Sequence, residues 1–219
     1  MKYYKAYEER YKAIHKKGYS WSSDKPTPIV LDTIKELNLD KKDKILELGC
    51  GEGRDAKKIL ESGYNLLATD ISIEAINYCK SVMPEYADSF EVLDCLNSNN
   101  NDTYHFIFAV ALIHMLVLDE DRHKFYKFIH EHLTDGGFAL ICSMGDGKKE
   151  FKTDINSAFE LQKREHQSGE IEGPATSCRM VSFKRLEKEI EKADLTIIKK
   201  GLTESLPDFN SLMYVLVTK

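Results

Sequence analysis

The stretch that most constrains this chain runs Lys44-Ile45-Leu46-Glu47-Leu48-Gly49-Cys50-Gly51-Glu52-Gly53-Arg54. Ile45, Leu46 and Leu48 form a short apolar run, the pattern of a strand buried in a parallel sheet. Glycines come next at alternate positions. Arg54 to Glu61 then reads as a helix stopped by Gly63. A strand, a glycine loop and a helix in that order commit the chain to an open α/β sheet with a ligand at its edge. Glycine allows the backbone to turn out of the strand at positive φ and leaves it bare enough for close approach. The helix beyond aims its N–H groups and positive dipole end at the same place. In open parallel sheets, ligands bind at the carboxyl ends of the strands.

The dinucleotide fingerprint G-x-G-x-x-G would require glycine at position 54, where Arg54 stands. The written pattern, Glu47-x-Gly49-x-Gly51-x-Gly53, resembles the first motif of class I S-adenosylmethionine-dependent methyltransferases. Tyr64 to Asp70 reads as a second strand ending in a carboxylate, 17 residues after Gly53. An acid there can accept hydrogen bonds from both ribose hydroxyls of an adenosine. It could instead cap a helix or be a surface-loop acid, but Ser72 is the better cap for the helix beyond, which favours the ligand reading. A third strand, Phe90 to Leu93, ends at Asp94.

The resemblance implies further roles. Ile71 lies against the adenosine, Asp94 reaches the adenine amino group, and the Cys95 backbone lies beside the ring. Glu47 orients the loop or the amino group of methionine. Cys50 and Arg54 belong to the cofactor-facing loop. Val110, at the end of the strand Tyr104 to Val110, sits where methionine moiety and substrate meet. Ala111-Leu112-Ile113-His114-Met115-Leu116 continues from that strand without an Asn/Asp-Pro-Pro-Tyr/Phe motif, which disfavours transfer to an amide or adenine amino group. Val110 also replaces the aspartate of metal-dependent catechol-type enzymes, so no metal site is expected. His114 is the candidate catalytic residue, as a base or orienting donor near neutrality. The bland alternative is a histidine that packs or bonds at a strand end. His123, His130 and His132, on the next helix, read as solvated.

The chain has 219 residues, enough for one domain with a sizeable core. Lys and Arg number 31 against 36 Asp and Glu, a formal net charge of −5, which argues against general nucleic-acid binding. The five cysteines are scattered without a C-x-x-C, so neither a zinc knuckle nor a disulfide framework is indicated. No apolar run approaches a membrane span and no secretory signal is evident, so a cytoplasmic location is expected by default.

Residues 1–40 read as a helical cap. Tyr4, Tyr7, Tyr11 and Ile14 recur at helical spacing, and Gly18 to Ser23 is a loop carrying the only tryptophan, Trp21. Tyr11 and Trp21 are candidate ligand contacts, with ordinary packing on the sheet as the plain alternative. Thr27 caps a second helix, with Pro28 in its first turn. Leu96 to Thr103 is a polar loop or weak helix. A helix from Asp119 ends at the glycines of Asp135-Gly136-Gly137, and Phe138 to Cys142 is the fifth strand. Residues 145–181 read as an insertion over the carboxyl edge. It has a helical turn near Ala158 and a loop at 169–174, with Glu170, Glu172 and Arg179 either presenting charge to a substrate or lying on the surface. Ser182 caps a last helix, and the strands Leu195 to Gly201 and Leu212 to Val217 close the sheet as a hairpin.

The expected fold is a Rossmann-like, doubly wound α/β domain spanning 1–219. Its seven-stranded sheet is mostly parallel with an antiparallel last strand, and helices lie on both faces. The expected function is methyl transfer from S-adenosyl-L-methionine, yielding S-adenosyl-L-homocysteine, to a small-molecule acceptor. The chain acts as monomer or homodimer, without nucleic acid or membrane. The alternatives are a methyltransferase acting on protein or nucleic acid and an NAD(P)-binding oxidoreductase. The cap and the insertion are expected to close over the site as a lid. The acceptor's identity is not written in the sequence.

Overall fold

The computed structural model describes residues 2–21, 25–98, 101–166, 169–204 and 211–219. Ser22 and Ser23 of the tryptophan loop, and Asn99 and Asn100 of the polar stretch after Leu96, lie outside the described residues.

Seven strands make the main sheet: β1 (Ile45–Leu48), β2 (Leu66–Asp70), β3 (Phe90–Val92), β4 (Tyr104–Val110), β5 (Leu133–Met144), β10 (Thr196–Thr203) and β11 (Leu212–Thr218). Their order is β10-β11-β5-β4-β1-β2-β3. β1 pairs in parallel with β2 and β4, whereas β11 runs antiparallel to both β5 and β10. The chain therefore leaves β1 toward β2 and β3, then returns to the other side for β4. That reversal is where an open sheet parts to admit a ligand.

Side-chain alternation divides the core into two layers. Ile45, Phe106 and Phe108 pack with Val30 and Ile34 of α2 (Pro28–Glu36), Ile59 of α3 (Arg54–Glu61) and Ile76 of α4 (Ile73–Val82). Leu46, Leu48, Ile107 and Ala109 pack on the opposite face with Phe125 and Ile129 of α5 (Asp119–His132) and Leu186 and Ile190 of α6 (Phe183–Glu191). Helices on both faces explain why β1 and β4 carry continuous apolar runs. No helix among the described residues is long and apolar enough to cross a membrane.

Several local expectations change. The helix α5 stops at His132, before the glycines, because β5 already begins at Leu133 and pairs it with Tyr104. Gly136, at φ 75°, sits in the register shift between Tyr104 and Phe106. His132 is buried, not solvated: its Nδ1 lies 2.8 Å from the Phe128 carbonyl and its ring stacks on Phe128. Thr27 does not cap α2 with its side chain, since its hydroxyl donates to Asp55 instead.

Ahead of the sheet, a short 3-10 turn leads into α1 (Ala6–His15). The insertion is largely β structure. β6 (Phe151–Lys152) pairs β9 (Arg179–Met180), and β7 (Leu161–His166) pairs β8 (Gly169–Pro174). The segment expected to be a loop at 169–174 is thus a strand, with Ile171 and Gly173 turned inward and Glu170 and Glu172 outward.

Candidate active site

The loop leaving β1 is built on backbone conformations that only glycine adopts readily. Gly49 and Gly51 have φ of 76° and 55°. The amides of Gly49 and Cys50 both donate to the Thr69 carbonyl, tying the loop to the end of β2. A side chain at Gly49 would meet Leu112, and one at Gly51 would meet the Tyr11 hydroxyl, and both glycines line the cavity described below. Gly53 differs. It is the N-cap of α3, and a Cβ there would face Met83, Cys79 and Phe90 of the core. Its role is to turn the chain, and it does not line the cavity below.

That cavity, of about 620 Å³, opens at the carboxyl ends of β1, β2, β3 and β4. Its size suits a small-molecule site. Glu47, Gly49, Cys50, Gly51, Arg54, Asp70, Ile71, Asp94, Cys95 and Val110 line its floor, with His114 beside them. Tyr11 and Trp21 line it from the N-terminal cap.

Each acid on the floor has a distinct setting. Asp70 Oδ2 accepts the Gly51 amide at 2.9 Å, and Oδ1 accepts the Ser72 amide at 2.8 Å. Burial raises its pKa, while those two amides pull the other way. Asp94 accepts the Leu96 amide at 3.1 Å and the Asn97 side-chain amide at 2.8 Å. Glu47 is buried, and its Oε2 has no hydrogen-bond partner among the described residues. Burial, with Asp55 nearby, holds the Glu47 carboxyl well above its usual range. An orphaned carboxyl oxygen beside a bare glycine loop is a place for a ligand's N–H donors. Arg54 turns its Nη2 to Thr27 and Asp55, leaving its buried Nε unpartnered among the described residues. Among the described residues, no group of three or more His, Cys, Asp or Glu is placed to hold a metal ion.

His114 sits in a single 3-10 turn, Ile113–Met115, just past β4. The preceding Ala111 is held at φ 58°, an uncommon conformation for a residue with a side chain. Arg122 fixes the turn from behind by donating to the carbonyls of Ile113 and Leu116. His114 Nδ1 accepts the Met144 amide at 3.5 Å. Burial, then the charges of Arg122 and Arg10, push its pKa down to about 3. The imidazole is therefore neutral near pH 7, a weak proton acceptor and a competent orienting group.

This shift has a measurable consequence. The folded pKa lies below the ordinary 6.5, so the unfolded chain binds the proton more tightly. The penalty is absent above about pH 6.5 and grows as pH falls toward about 3, by up to ~1.4 kcal/mol per unit. Relative to the wild type, His114→Gln should gain stability as pH is lowered from 7 to 4. Parallel urea midpoints for the two proteins across that range would refute the depressed pKa.

The residues that sequence pattern alone does not single out hold the cap down. Glu52, between two loop glycines, accepts from the Ser20 hydroxyl at 2.6 Å and the Trp21 amide at 2.8 Å. It also faces His15 Nε2 at 2.9 Å, while His15 Nδ1 faces Glu74. Glu8 accepts from the Ser72 hydroxyl and the Glu74 amide. Tyr7 donates to the Ser177 carbonyl at 3.0 Å, and Lys17 donates to that of Glu170. The cap thus joins the glycine loop, α4 and the insertion. Arg10 lies on the same buried face of α1 as Tyr7 and Ile14, and an arginine in such a stripe is the available signal. Arg179, expected to face a substrate, instead pairs with Asp119 and Glu189 and donates to the Val117 carbonyl. Glu170 pairs with Lys163 on the exposed hairpin. Neither these two nor Glu172 lines the cavity.

Residues 45–137 match a family model described as a methyltransferase domain. No curated protein gives a significant match. Among solved structures, an S-adenosylmethionine-dependent methyltransferase from Clostridium acetobutylicum superposes with a TM-score of 0.67 at 17% identity, covering 98% of each chain. The 1,6-didemethyltoxoflavin-N1-methyltransferase of Burkholderia thailandensis gives 0.72 at 12% identity, over 99% of this chain and 88% of that one. The glycopeptide N-methyltransferase MtfA, complexed with S-adenosyl-L-methionine, gives 0.64 at 15% identity, over 91% of this chain and 96% of that one. At such identities the likeness establishes the fold.

Proposed function

We propose that the chain transfers a methyl group from S-adenosyl-L-methionine to a small-molecule acceptor, because residues 45–137 match the methyltransferase-domain family model and the fold around them is that of solved S-adenosylmethionine-dependent methyltransferases. One observation carries the reading. The orphaned Glu47 oxygen, the positive-φ glycines Gly49 and Gly51, and the pinned Asp70 carboxylate line one cavity.

In this reading Glu47 accepts from the ammonium of the methionine part. Gly49 and Gly51 admit that part against the backbone. Asp70 spends one lone pair per oxygen on the loop and keeps others for the ribose hydroxyls. Ile71, Asp94 and Cys95 border the adenine. S-adenosyl-L-methionine, when bound, supplies a methyl already activated by sulfonium charge. The work left to the chain is alignment and exclusion of water. His114, uncharged at neutral pH, orients an acceptor and does not draw a proton from it. The cap and the insertion border the cavity together, through Tyr4, Tyr7 and Tyr11 from one and Gln162, Arg164 and Thr176 from the other, which favours a small acceptor over a macromolecule.

Calorimetry tests the cofactor. S-adenosylhomocysteine should bind the full chain and NADH should not, and the reverse would favour an oxidoreductase. Bound S-adenosylhomocysteine should also raise hydrogen-exchange protection in residues 1–25 and in part of 145–181, the two segments expected to close as a lid. Protection confined to the glycine loop and the turns at Asp70 and Asp94 would remove the lid.

A further inference from the structure

The cavity is also lined by Arg10 and Arg164, two guanidinium groups with no acidic partner among the described residues. Arg10 is 8% exposed, yet among the described residues it forms no ion pair within 4.0 Å. Its Nη2 donates to the Thr176 hydroxyl and, at 3.4 Å, to the Ala175 carbonyl. The rings of Tyr7 and Trp21 flank it at 4.8 and 4.7 Å. Arg164, on β7, donates to the same Ala175 carbonyl and likewise has no ion pair among the described residues. Glu165, also on the cavity wall, is exposed and pairs with neither.

An arginine stays charged in a protein and presents a planar fork matched to carboxylate and phosphate. Burying one without a counter-charge is unfavourable, and placing a second beside it more so. Burial lowers the Arg10 pKa, and the charge of Arg164 adds to that pull. The wall that holds them is itself strained. Thr176 has φ 62°, an outlier for a β-branched residue, and its hydroxyl sits between Arg10 and Ala175. Strain of this kind persists where surrounding structure imposes it, and it clusters at ligand sites. Of the other acids lining the cavity, Asp55 pairs with Arg54 and Glu52 faces His15, while Glu47, Asp70 and Asp94 form no ion pair with Arg10 or Arg164. The imbalance lies where the cap meets the insertion, and a bound anion would correct it.

We propose that Arg10 and Arg164 form an oxyanion subsite for the methyl acceptor, so that the acceptor carries a carboxylate or phosphate group. This rests on the methyltransferase reading and adds the acceptor's charge class to it. The anion is the handle by which the acceptor is held. Tyr7 and Trp21, whose rings pack against the Arg10 guanidinium, hold it in position for that contact.

The test is calorimetry on the full chain saturated with S-adenosylhomocysteine, with benzoate, phenyl phosphate and the neutral isostere benzamide as probes. At least one of the two anions should bind more tightly than benzamide by about tenfold or more, and whichever wins identifies carboxylate or phosphate as the group recognised. Arg10→Gln and Arg164→Gln should each weaken that anion by about ten- to 100-fold and leave benzamide unchanged. Arg10→Lys, which keeps the charge and loses the fork, should fall between wild type and Arg10→Gln. Arg164 lies on a partly exposed hairpin, so Arg164→Gln keeps the test valid should Arg10→Gln fail to fold. Equal binding of anions and benzamide would overturn the proposal, as would an Arg164→Gln variant that binds anions like wild type. A folded Arg10→Gln variant that loses S-adenosylhomocysteine would also overturn it, by assigning Arg10 to the cofactor's own carboxylate. Failure of the methyltransferase reading looks different: the wild-type chain would then not bind S-adenosylhomocysteine at all, and the acceptor assignment would fall with it.

Discussion

Gly51→Val should weaken S-adenosylhomocysteine binding by at least ~2 kcal/mol, roughly thirtyfold, and should lower thermal stability as well. Gly51 has φ 55°, where a β-branched residue is an outlier and the left-handed conformation costs ~1–2 kcal/mol. A Cβ built there lies 2.7 Å from the Tyr11 hydroxyl. Tyr11 belongs to α1, which is tied to the rest of the site through His15 to Glu52, Glu8 to Ser72 and Tyr7 to Ser177. The valine therefore displaces a cap residue as well as filling the cradle. The Gly51 amide also donates to Asp70, so a shift of the loop disturbs the carboxylate expected to hold the ribose. For a chain of this size each 1 kcal/mol lowers the melting temperature by about 2–4 °C. Calorimetry together with a thermal melt checks both effects. Binding within about threefold of wild type would reduce the glycine loop to a structural turn.

The sequence disclosed the site's floor because the floor is local. Gly49, Gly51 and Asp70 sit at strand ends, and each strand announces itself by an apolar run buried on both faces. The roof is assembled from segments far apart in the chain, and local pattern carries little of it. Arg10 meets Thr176 and Arg164 only after the sheet has brought residues 10, 164 and 176 together. Glu52 reads as a variable position within a glycine motif, yet it is the acceptor that fastens the tryptophan loop. The strand at 169–174 is hidden by its ends. Gly169 and the Gly173-Pro174 pair read as turn residues, while the alternation of Glu170, Ile171 and Glu172 across them is a short period-two signal. The end of α5 is obscured for a related reason. Glycines at 136 and 137 resemble a helix stop, but they serve a strand irregularity, and tertiary pairing of Leu133 with Tyr104 ends the helix first. His114 is legible as a polar residue at a strand end. Its loss of basicity is not, because that arises from burial and from two arginines on other elements.

Asp70→Ala should weaken S-adenosylhomocysteine by about 1–3 kcal/mol, the range for hydrogen bonds to a charged acceptor. Asp70 also accepts the amides of Gly51 and Ser72, so the variant leaves two buried N–H groups unsatisfied and should lose stability of similar order. A loosened loop and a lost ribose acceptor would both lower affinity, and a second variant separates them. Ser72 caps α4 by accepting the Ala75 amide, and it donates to Glu8 of the cap, but it offers no carboxylate to the cavity. Ser72→Ala should therefore lower the melting temperature, through ~0.5–2 kcal/mol of lost capping, while changing S-adenosylhomocysteine affinity little. If the two variants lose affinity equally, Asp70 acts by holding the loop, and the ribose must find its acceptor elsewhere. A loss confined to Asp70→Ala, at matched loss of stability, is the expected result and places the carboxylate in contact with the ligand.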